Sequence, residues 1–436
     1  MEEEKKIEKE EEKSGELSSY VVEDFQKARQ TAFLRFCVQC LPRAYESQDI
    51  NHMMIIYYVM HALDILGLLR PGEGAEAAGG ARPIVSEEDR RALIEYIYTL
   101  QVRATPRARA NDALGFGFAG APWCVPDGSR YRVASAVTTF GALCVLRELG
   151  DDLARVDRDA VAEGLRHLQQ PDGSFAAAYQ RKRLPETASA AERARAAVED
   201  VGDCDLRFVF CACATCALLG DWRGVDTAAA TRFVLACQAY DGAFGQGPLQ
   251  EGHGGSTYCA VAALALMGTL DALPADRRRA LVRWLVARQV SGFQGRINKP
   301  PDTCYGFWIG ASLAILRAHD PDVPPATPPA HVSFVDNDTL CSFLLTCQGS
   351  TGGFCKDKDA YPDLVHTCLS IAALSIVCSF DPFFVLCFFL LDALLFFFHF
   401  VQSKKQAGFP GMEEIDCTMN ITKRAAQSPR ASVETK

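Results

Sequence analysis

Two kinds of helical text alternate along the chain. Stretches such as VDRDAVAEGLRHLQQ, VDTAAATRFVLACQ and LPADRRRALVRWLVARQ carry apolar residues at helical spacing with charges between them. After them come segments that are apolar nearly all round: NHMMIIYYVMHALDILGLL, YRVASAVTTFGALCVLREL, DLRFVFCACATCALLGDW, STYCAVAALALMG, DTCYGFWIGASLAIL and DLVHTCLSIAALSIV. A helix that is apolar on every side must be enclosed by protein, whereas its amphipathic neighbour keeps one face in water. The pattern predicts an outer and an inner layer of helices.

The alternation is punctuated by a repeated turn. Leu100-Gln101 stands before GFGF, Gln169-Gln170 before PDGSF, Cys237-Gln238 before AYDGAFG, Gln289 before VSGFQG, and Cys347-Gln348 before GSTGGF. The spacing of roughly 50 to 70 residues lies in or just above the range of repeat architectures. The chain is therefore read as all-α, with about six outer–inner helix pairs closing into an α/α barrel. Closure removes the exposed ends that an open superhelix must cap, and no capping repeat is visible.

Composition narrows the functional classes. At 436 residues and 49% hydrophobic, core material is ample, and a net charge of −9 argues against a general nucleic-acid binder. The start, MEEEKKIEKEEEK, is no secretory signal, and 18 cysteines scattered through apolar text suit a reduced, cytoplasmic protein. The C-x-x-C pairs Cys37/Cys40 and Cys213/Cys216 are read as buried thiols. By organisation, residues 1–20 form a charged tail, 21–378 the barrel, 379–409 an anomalous apolar insertion and 410–436 a C-terminal tail. QRKRLPETASAAERARAAVED and PGEGAEAAGGARP read as surface insertions.

Candidate chemistry gathers at the starts of the late inner helices. Asp302 and Cys304 in KPPDTCYGFW, with His366 in YPDLVHTCLS, offer carboxylate, thiolate and imidazole, a zinc set that leaves one coordination position open. Each piece follows a proline and enters an apolar helix, so a barrel would bring them to one rim. Arg207 and His253 stand at comparable entries in earlier repeats, and Arg296, Lys299 and Tyr305 flank the ligand dipeptide. Helix N-termini with guanidinium, ammonium and imidazole groups form a receptor for phosphorylated groups. Beneath them Tyr57, Tyr58, Phe140, Phe208, Tyr258, Phe307 and Trp308 line an apolar interior suited to a long hydrocarbon diphosphate.

The runs QEGHGGSTYCAVAALALMG, GFQGRINKPPDTCYGFWIGASL and GGFCKDKDAYPDLVHTCLSIAALSI resemble protein prenyltransferase β subunits, most closely those of protein geranylgeranyltransferase type I. The resemblance spans roughly Asp24 to Val377. It implies a toroidal barrel of the prenyltransferase and terpenoid cyclase type, working as a heterodimer with a prenyltransferase α subunit. One Zn2+ per β subunit is implied at Asp302, Cys304 and His366, its open position taking the cysteine thiol of a C-a-a-X protein such as a small GTPase. The acceptor would take geranylgeranyl from its diphosphate. His253, Arg296, Lys299 and Tyr305 match diphosphate-binding positions, and Arg207 an arginine near the C-terminus of the bound peptide.

The resemblance also bears on the lipid. Farnesyl enzymes use Mg2+ and carry an aspartate where this chain has Lys356, whose ammonium can stand in for that cation, so Mg2+ is expected to be dispensable. They also place a tyrosine where Leu369 stands. At the tunnel bottom, Trp marks farnesyl and Thr geranylgeranyl enzymes; Met54 here matches neither, although methionine is slim enough for a fourth isoprene unit. The peptide and lipid pocket is thus assigned to Arg207, Trp308, Met54 and Leu369. Farnesyltransferase and Rab geranylgeranyltransferase β subunits are the rival readings; a terpene cyclase is more distant, since no D-x-D-D acid is present.

The insertion contains SFDPFFVLCFFLLDALLFFFHFVQ. Its apolar run of about 19 residues reaches membrane-spanning length, but Asp392 near its middle costs roughly 2.5–3.5 kcal/mol there. A retained intron is the preferred hypothesis, because phenylalanine runs are what a pyrimidine tract encodes. Transcripts that always contain the segment, across growth stages, would sink it.

Overall fold

The computed structural model describes residues 25–69, 83–103, 117–124, 134–181, 198–319, 335–378 and 412–427. The charged tail 1–20, the insertion 379–409 and the stretch 71–82 lie outside the described residues. Among the described residues six outer helices, α1 (Lys27–Gln39), α3 (Glu87–Thr99), α5 (Arg158–Leu168), α7 (Thr227–Ala236), α9 (Ala275–Val286) and α11 (Asn337–Thr346), alternate with six inner ones. The inner helices are α2 (His52–Ile65), α4 (Ala136–Glu148), α6 (Leu206–Leu219), α8 (Gly254–Leu266), α10 (Cys304–Ala318) and α12 (Leu364–Cys378). Each packs on the next, and α12 returns to α2. The expected closed barrel is the observed architecture.

The glutamine of each turn has a structural task. The Gln169 side chain accepts from the Asp226 amide at 2.7 Å and donates to its carbonyl at 2.8 Å; Gln289 does the same for Asp336 at 2.8 and 2.6 Å. Asp226 and Asp336 are the N-caps of α7 and α11, so each turn grips the start of the next outer helix. Gln101 likewise accepts from Asp157, the N-cap of α5. The last of the series, Gln348, accepts from the Gln26 amide and the Gln30 side chain of α1, which joins the end of the repeat array to its beginning. The phenylalanines paired with these glutamines, Phe118, Phe175, Phe244, Phe293 and Phe354, are fully buried.

Inside the ring, aromatic side chains contact in sequence: Tyr57 with Phe140 at 5.6 Å between centroids, Phe140 with Phe210 at 5.3 Å, Phe210 with Tyr258 at 5.2 Å and Tyr258 with Phe307 at 5.0 Å. Phe210 was not among the expected lining residues, whereas Phe208 packs beneath the Arg207 guanidinium. Both C-x-x-C pairs are free thiols. Cys37, Cys213 and Cys216 are buried as expected, but Cys40 is exposed, because it stands past the end of α1 and not on its inward face.

Short ladders supplement the helices. β1 (Gln101–Val102) pairs with β2 (Gly117–Phe118), and β3 (Ala176–Arg181) with β4 (Val198–Cys204). The stretch read as a plain surface insertion thus leaves and re-enters the frame through a hairpin. β5 (Phe354–Cys355) pairs with β6 (Pro362–Asp363), and β7 (Ile415–Asp416) with β8 (Ile421–Thr422). The C-terminal segment, with the short α13 (Lys423–Gln427), enters the ring at the C-terminal ends of the inner helices, where Ser375 of α12 donates to the Glu413 carbonyl at 2.6 Å, and it reaches inward to Tyr258 of α8, whose hydroxyl donates to the Cys417 carbonyl at 2.9 Å. Among the described residues no helix is long and apolar enough to cross a membrane.

Candidate metal centre and its rim

Asp302, Cys304 and His366 converge where α10 and α12 begin, their ligand atoms all within 4.8 Å of one another. The turn before α10 is held by the Asp302 amide donating to the Phe293 carbonyl at 3.1 Å, and Asp302 Oδ1 accepts the Cys304 amide at 3.0 Å. His366 is set by Asp363, whose carboxylate accepts the His366 amide at 2.9 Å and Nδ1–H at 2.6 Å. That bond leaves Nε2 facing Asp302 Oδ1 at 3.3 Å. Asp363 had not been singled out; its spacing three residues before the histidine, at a helix start, was the available signal.

The electrostatics suit a cation. Burial alone would lower the His366 pKa, but hydrogen bonds with Asp302 and Asp363 outweigh it and raise it to about 9. Burial would raise that of Asp302, yet His366 and Cys304 hold it low. Burial, then the neighbouring Asp302 charge, pushes the Cys304 thiol well up. At 3.3 Å the protonated His366 ring donates to Asp302, so a proton fills the place a metal ion would take, and the buried Cys304 thiol needs a positive charge beside it to ionise. Carboxylate oxygen, sulfur and imidazole nitrogen are a donor set for zinc. The Trp308 indole beside Cys304 opposes the rise of its thiol pKa.

Around this centre the rim groups fall into two kinds. His253 caps α8 through Nδ1, which accepts from the amides of Gly255 at 3.1 Å and Ser256 at 3.4 Å. Its proton therefore sits on Nε2 and is donated to the Tyr305 hydroxyl at 2.9 Å. Burial and then Arg296 lower the His253 pKa, so the ring stays neutral. Tyr305 lies against two glycines: a Cβ on Gly254 would meet its ring at 2.9 Å, and one on Gly295 at 2.0 Å. Arg207 is braced by its own N-cap, Asp205, at 2.6 Å, and Arg296 reaches Glu251 at 3.1 Å. Lys299 and Lys356 are exposed.

The remaining expected pocket residues lie deeper. Leu369 is buried on α12, and Met54 lies against α4, where a Cβ on Gly141 would come within 2.7 Å of its sulfur. Both belong to the same hydrophobic core as the aromatic series.

A barrel of glutamine-clamped hairpins with this triplet at its rim defines a class. Residues 25–421 match the family model of the prenyltransferase alpha-alpha toroid domain, and the chain belongs to that family of prenyltransferases. Among its relatives, the geranylgeranyl transferase type-1 subunit beta of Arabidopsis thaliana is 32% identical over 84% of this chain and 89% of that protein. That of Dictyostelium discoideum is also 32% identical, over 79% and 88%. The Schizosaccharomyces pombe protein farnesyltransferase subunit beta is 31% identical, but over only 58% of this chain and 60% of its own. In fold, the solved Candida albicans protein geranylgeranyltransferase-I complexed with GGPP superposes with a TM-score of 0.68 at 21% identity, covering 92% of this chain and 97% of that one.

Proposed function

We propose that this chain is the catalytic β subunit of a protein geranylgeranyltransferase of type I, acting in the cytoplasm with an α subunit. It would transfer geranylgeranyl to the cysteine of a C-terminal C-a-a-X sequence. The observation that carries the reading is the convergence of Asp302, Cys304 and His366 within 4.8 Å beneath a rim of helix N-termini and cationic side chains. Similarity to type-1 β subunits over most of their length supports it.

Asp302, Cys304 and His366 would hold Zn2+, with Asp363 orienting His366. Zinc supplies a Lewis acid that lets the substrate cysteine react as thiolate at neutral pH. In the transfer a C–S bond forms at C1 of the lipid while the C1–O bond breaks, its electron pair leaving with the diphosphate. Because the Tyr305 oxygen already accepts the His253 Nε2–H, its own proton is free to point at that departing oxygen. Arg296, Lys299 and Lys356 would offset its negative charge, Lys356 in place of Mg2+, and Arg207 would meet the peptide carboxylate. Gly141 lets Met54 lie back against α4, which favours the longer lipid.

The test is co-expression with a prenyltransferase α subunit, following farnesyl and geranylgeranyl transfer to peptides ending in leucine or serine, with and without Mg2+. Geranylgeranyl transfer to leucine-ending peptides without Mg2+ is expected. Preferential farnesylation, or dependence on Mg2+, overturns the type I reading.

A further inference from the structure

Three repeats share a bond in which a threonine, in the first turn of the inner helix, accepts from the buried phenylalanine of its own turn. Thr139 accepts from the Phe118 amide at 3.0 Å, Thr257 from Phe244 at 3.0 Å and Thr367 from Phe354 at 2.9 Å. The corresponding position of α10 is Phe307, which has no hydroxyl. A threonine stands instead between the two ligands of that repeat. Thr303 is fully buried, and its bonds run forward to the next repeat: its amide donates to the Lys356 carbonyl at 3.0 Å and its hydroxyl to that of Cys355 at 2.8 Å.

We propose that Thr303 is the positioning residue that fixes the Asp302–Cys304 pair relative to β5, which runs directly into Lys356, and to His366. The connection is continuous. Thr303 holds β5, β5 pairs with β6 through Phe354 and Asp363, and Asp363 orients His366. The triplet spans the gap between the fifth and sixth hairpins, and Thr303 is bonded across that same gap. Loss of its hydroxyl leaves the buried Cys355 carbonyl without its donor and frees the strand to shift against the ligand pair. Lys356 and His366 then loosen together against the Asp302–Cys304 pair.

The inference rests on the metal reading above, and the experiment separates the two. In the complex with an α subunit, Thr303→Val and Thr303→Ser are compared with the unmodified chain by the rate of zinc release to a chelating dye and by the KM for geranylgeranyl diphosphate. Thr303→Val is expected to release zinc about 10-fold faster or more, and Thr303→Ser to behave as the parent. The effect of Thr303→Val on the diphosphate KM should shrink in a Lys356→Ala background, which a merely structural role would not produce. A folded Thr303→Val complex that releases zinc at the parental rate overturns the inference. So does a Thr303→Ser complex that loses zinc quickly, a result that stands even if Thr303→Val fails to assemble. A parent complex that holds no zinc overturns the metal reading itself.

Discussion

The two ends of the ring use polar groups in opposite ways. At the end where inner helices begin, carboxylate, thiol and imidazole crowd together within reach of one shared cation. At the end where they finish, the chain's own C-terminal segment supplies the partners. Asn420 accepts from His61 Nε2 at 3.2 Å, donates to the Tyr57 oxygen at 2.8 Å, and accepts the Tyr57 O–H through its carbonyl at 3.0 Å. Asp64 takes the Thr422 hydroxyl at 2.5 Å and the Arg424 guanidinium. Arg424 also donates to the Glu148 carbonyl, one of the acceptors a helix C-terminus leaves over. The lesson is that one repeat frame can carry a reactive face and a sealed face, provided the sealing groups come from outside the repeat.

His61 and Glu148 show how complete the sealing is. Since Asn420 is an acceptor for Nε2, the His61 proton lies there, and Nδ1 accepts from Glu148 at 2.8 Å. Glu148 must then carry a proton. Burial pushes its pKa well up and lowers that of His61 to about 4, in keeping with a neutral pair. Among the described residues Glu148 Oε2 has no hydrogen-bond partner, which a neutral acid tolerates better than a carboxylate.

The contrast can be broken at either end. The largest effect is expected for Cys304→Ala, which should lose zinc by metal analysis and more than about 100-fold in transfer, beyond the cost of an outer partner, while its melting profile keeps the parental pH dependence. Gly295→Ala drives a Cβ into Tyr305 and should cost on the order of 100-fold in kcat with zinc retained, measured as rate per bound metal. Asp363→Asn should weaken zinc affinity about 10-fold or more in a chelator titration. At the sealed end, Asn420→Ala strands the Tyr57 hydroxyl and the His61 ring and should cost about 3 kcal/mol in denaturant melts, with zinc still bound. Loss of zinc in Asn420→Ala, or unfolding in Cys304→Ala, would erase the division between the two faces.

The finest test is the pH dependence of stability. Between about 4.5 and 6.5 the folded pair holds its one proton on Glu148 and the unfolded pair holds one on His61, so this pair contributes no slope. Above that window the unfolded chain has lost its proton and the folded chain has not. Stability then falls as pH rises, by up to about 1.4 kcal/mol per pH unit. Below about 4.5 the unfolded chain takes up a second proton and stability falls again, until His61 itself protonates near 4. Glu148→Gln, which donates to Nδ1 without titrating, should change stability at pH 6 by less than about 0.5 kcal/mol and remove the decline on the alkaline side. An alkaline decline that persists in Glu148→Gln would place its origin outside this pair, and a loss of about 3 kcal/mol or more at pH 6 would show the pair to be ionic.

Much of the frame was legible because it is periodic. Apolar text marked the inner helices, and the glutamines marked turns even though their grip on Asp226 and Asp336 was not foreseen. The ligand types of Asp302, Cys304 and His366 stood out, and the ring explains why residues so distant in sequence meet. What escaped were partners whose meaning depends on a neighbour in another repeat. Thr303 reads as a spacer between two candidate ligands, Asp363 as one more turn aspartate, and Asn420 as part of a trailing tail. Cys40 was misjudged for the converse reason, since a two-residue spacing does not say where a helix stops.

The point at which the C-terminal segment docks has a bearing on how such chains can change length. Ser375 and Glu413 are bonded to each other, and the Glu413 amide donates to the Ile65 carbonyl at 2.6 Å, so the chain departs from α12 and returns to nearly the same spot. Docking is maintained by Asn420, Thr422 and Arg424 with the helix ends they touch, none of which the connection supplies. Each doubling of a closed connection costs only about 0.6 kcal/mol in chain entropy. Chain length can therefore be gained or lost between Cys378 and Met412 while both faces of the ring stay as they are. Splicing variation, fusion or an engineered tag would be least noticed at this seam.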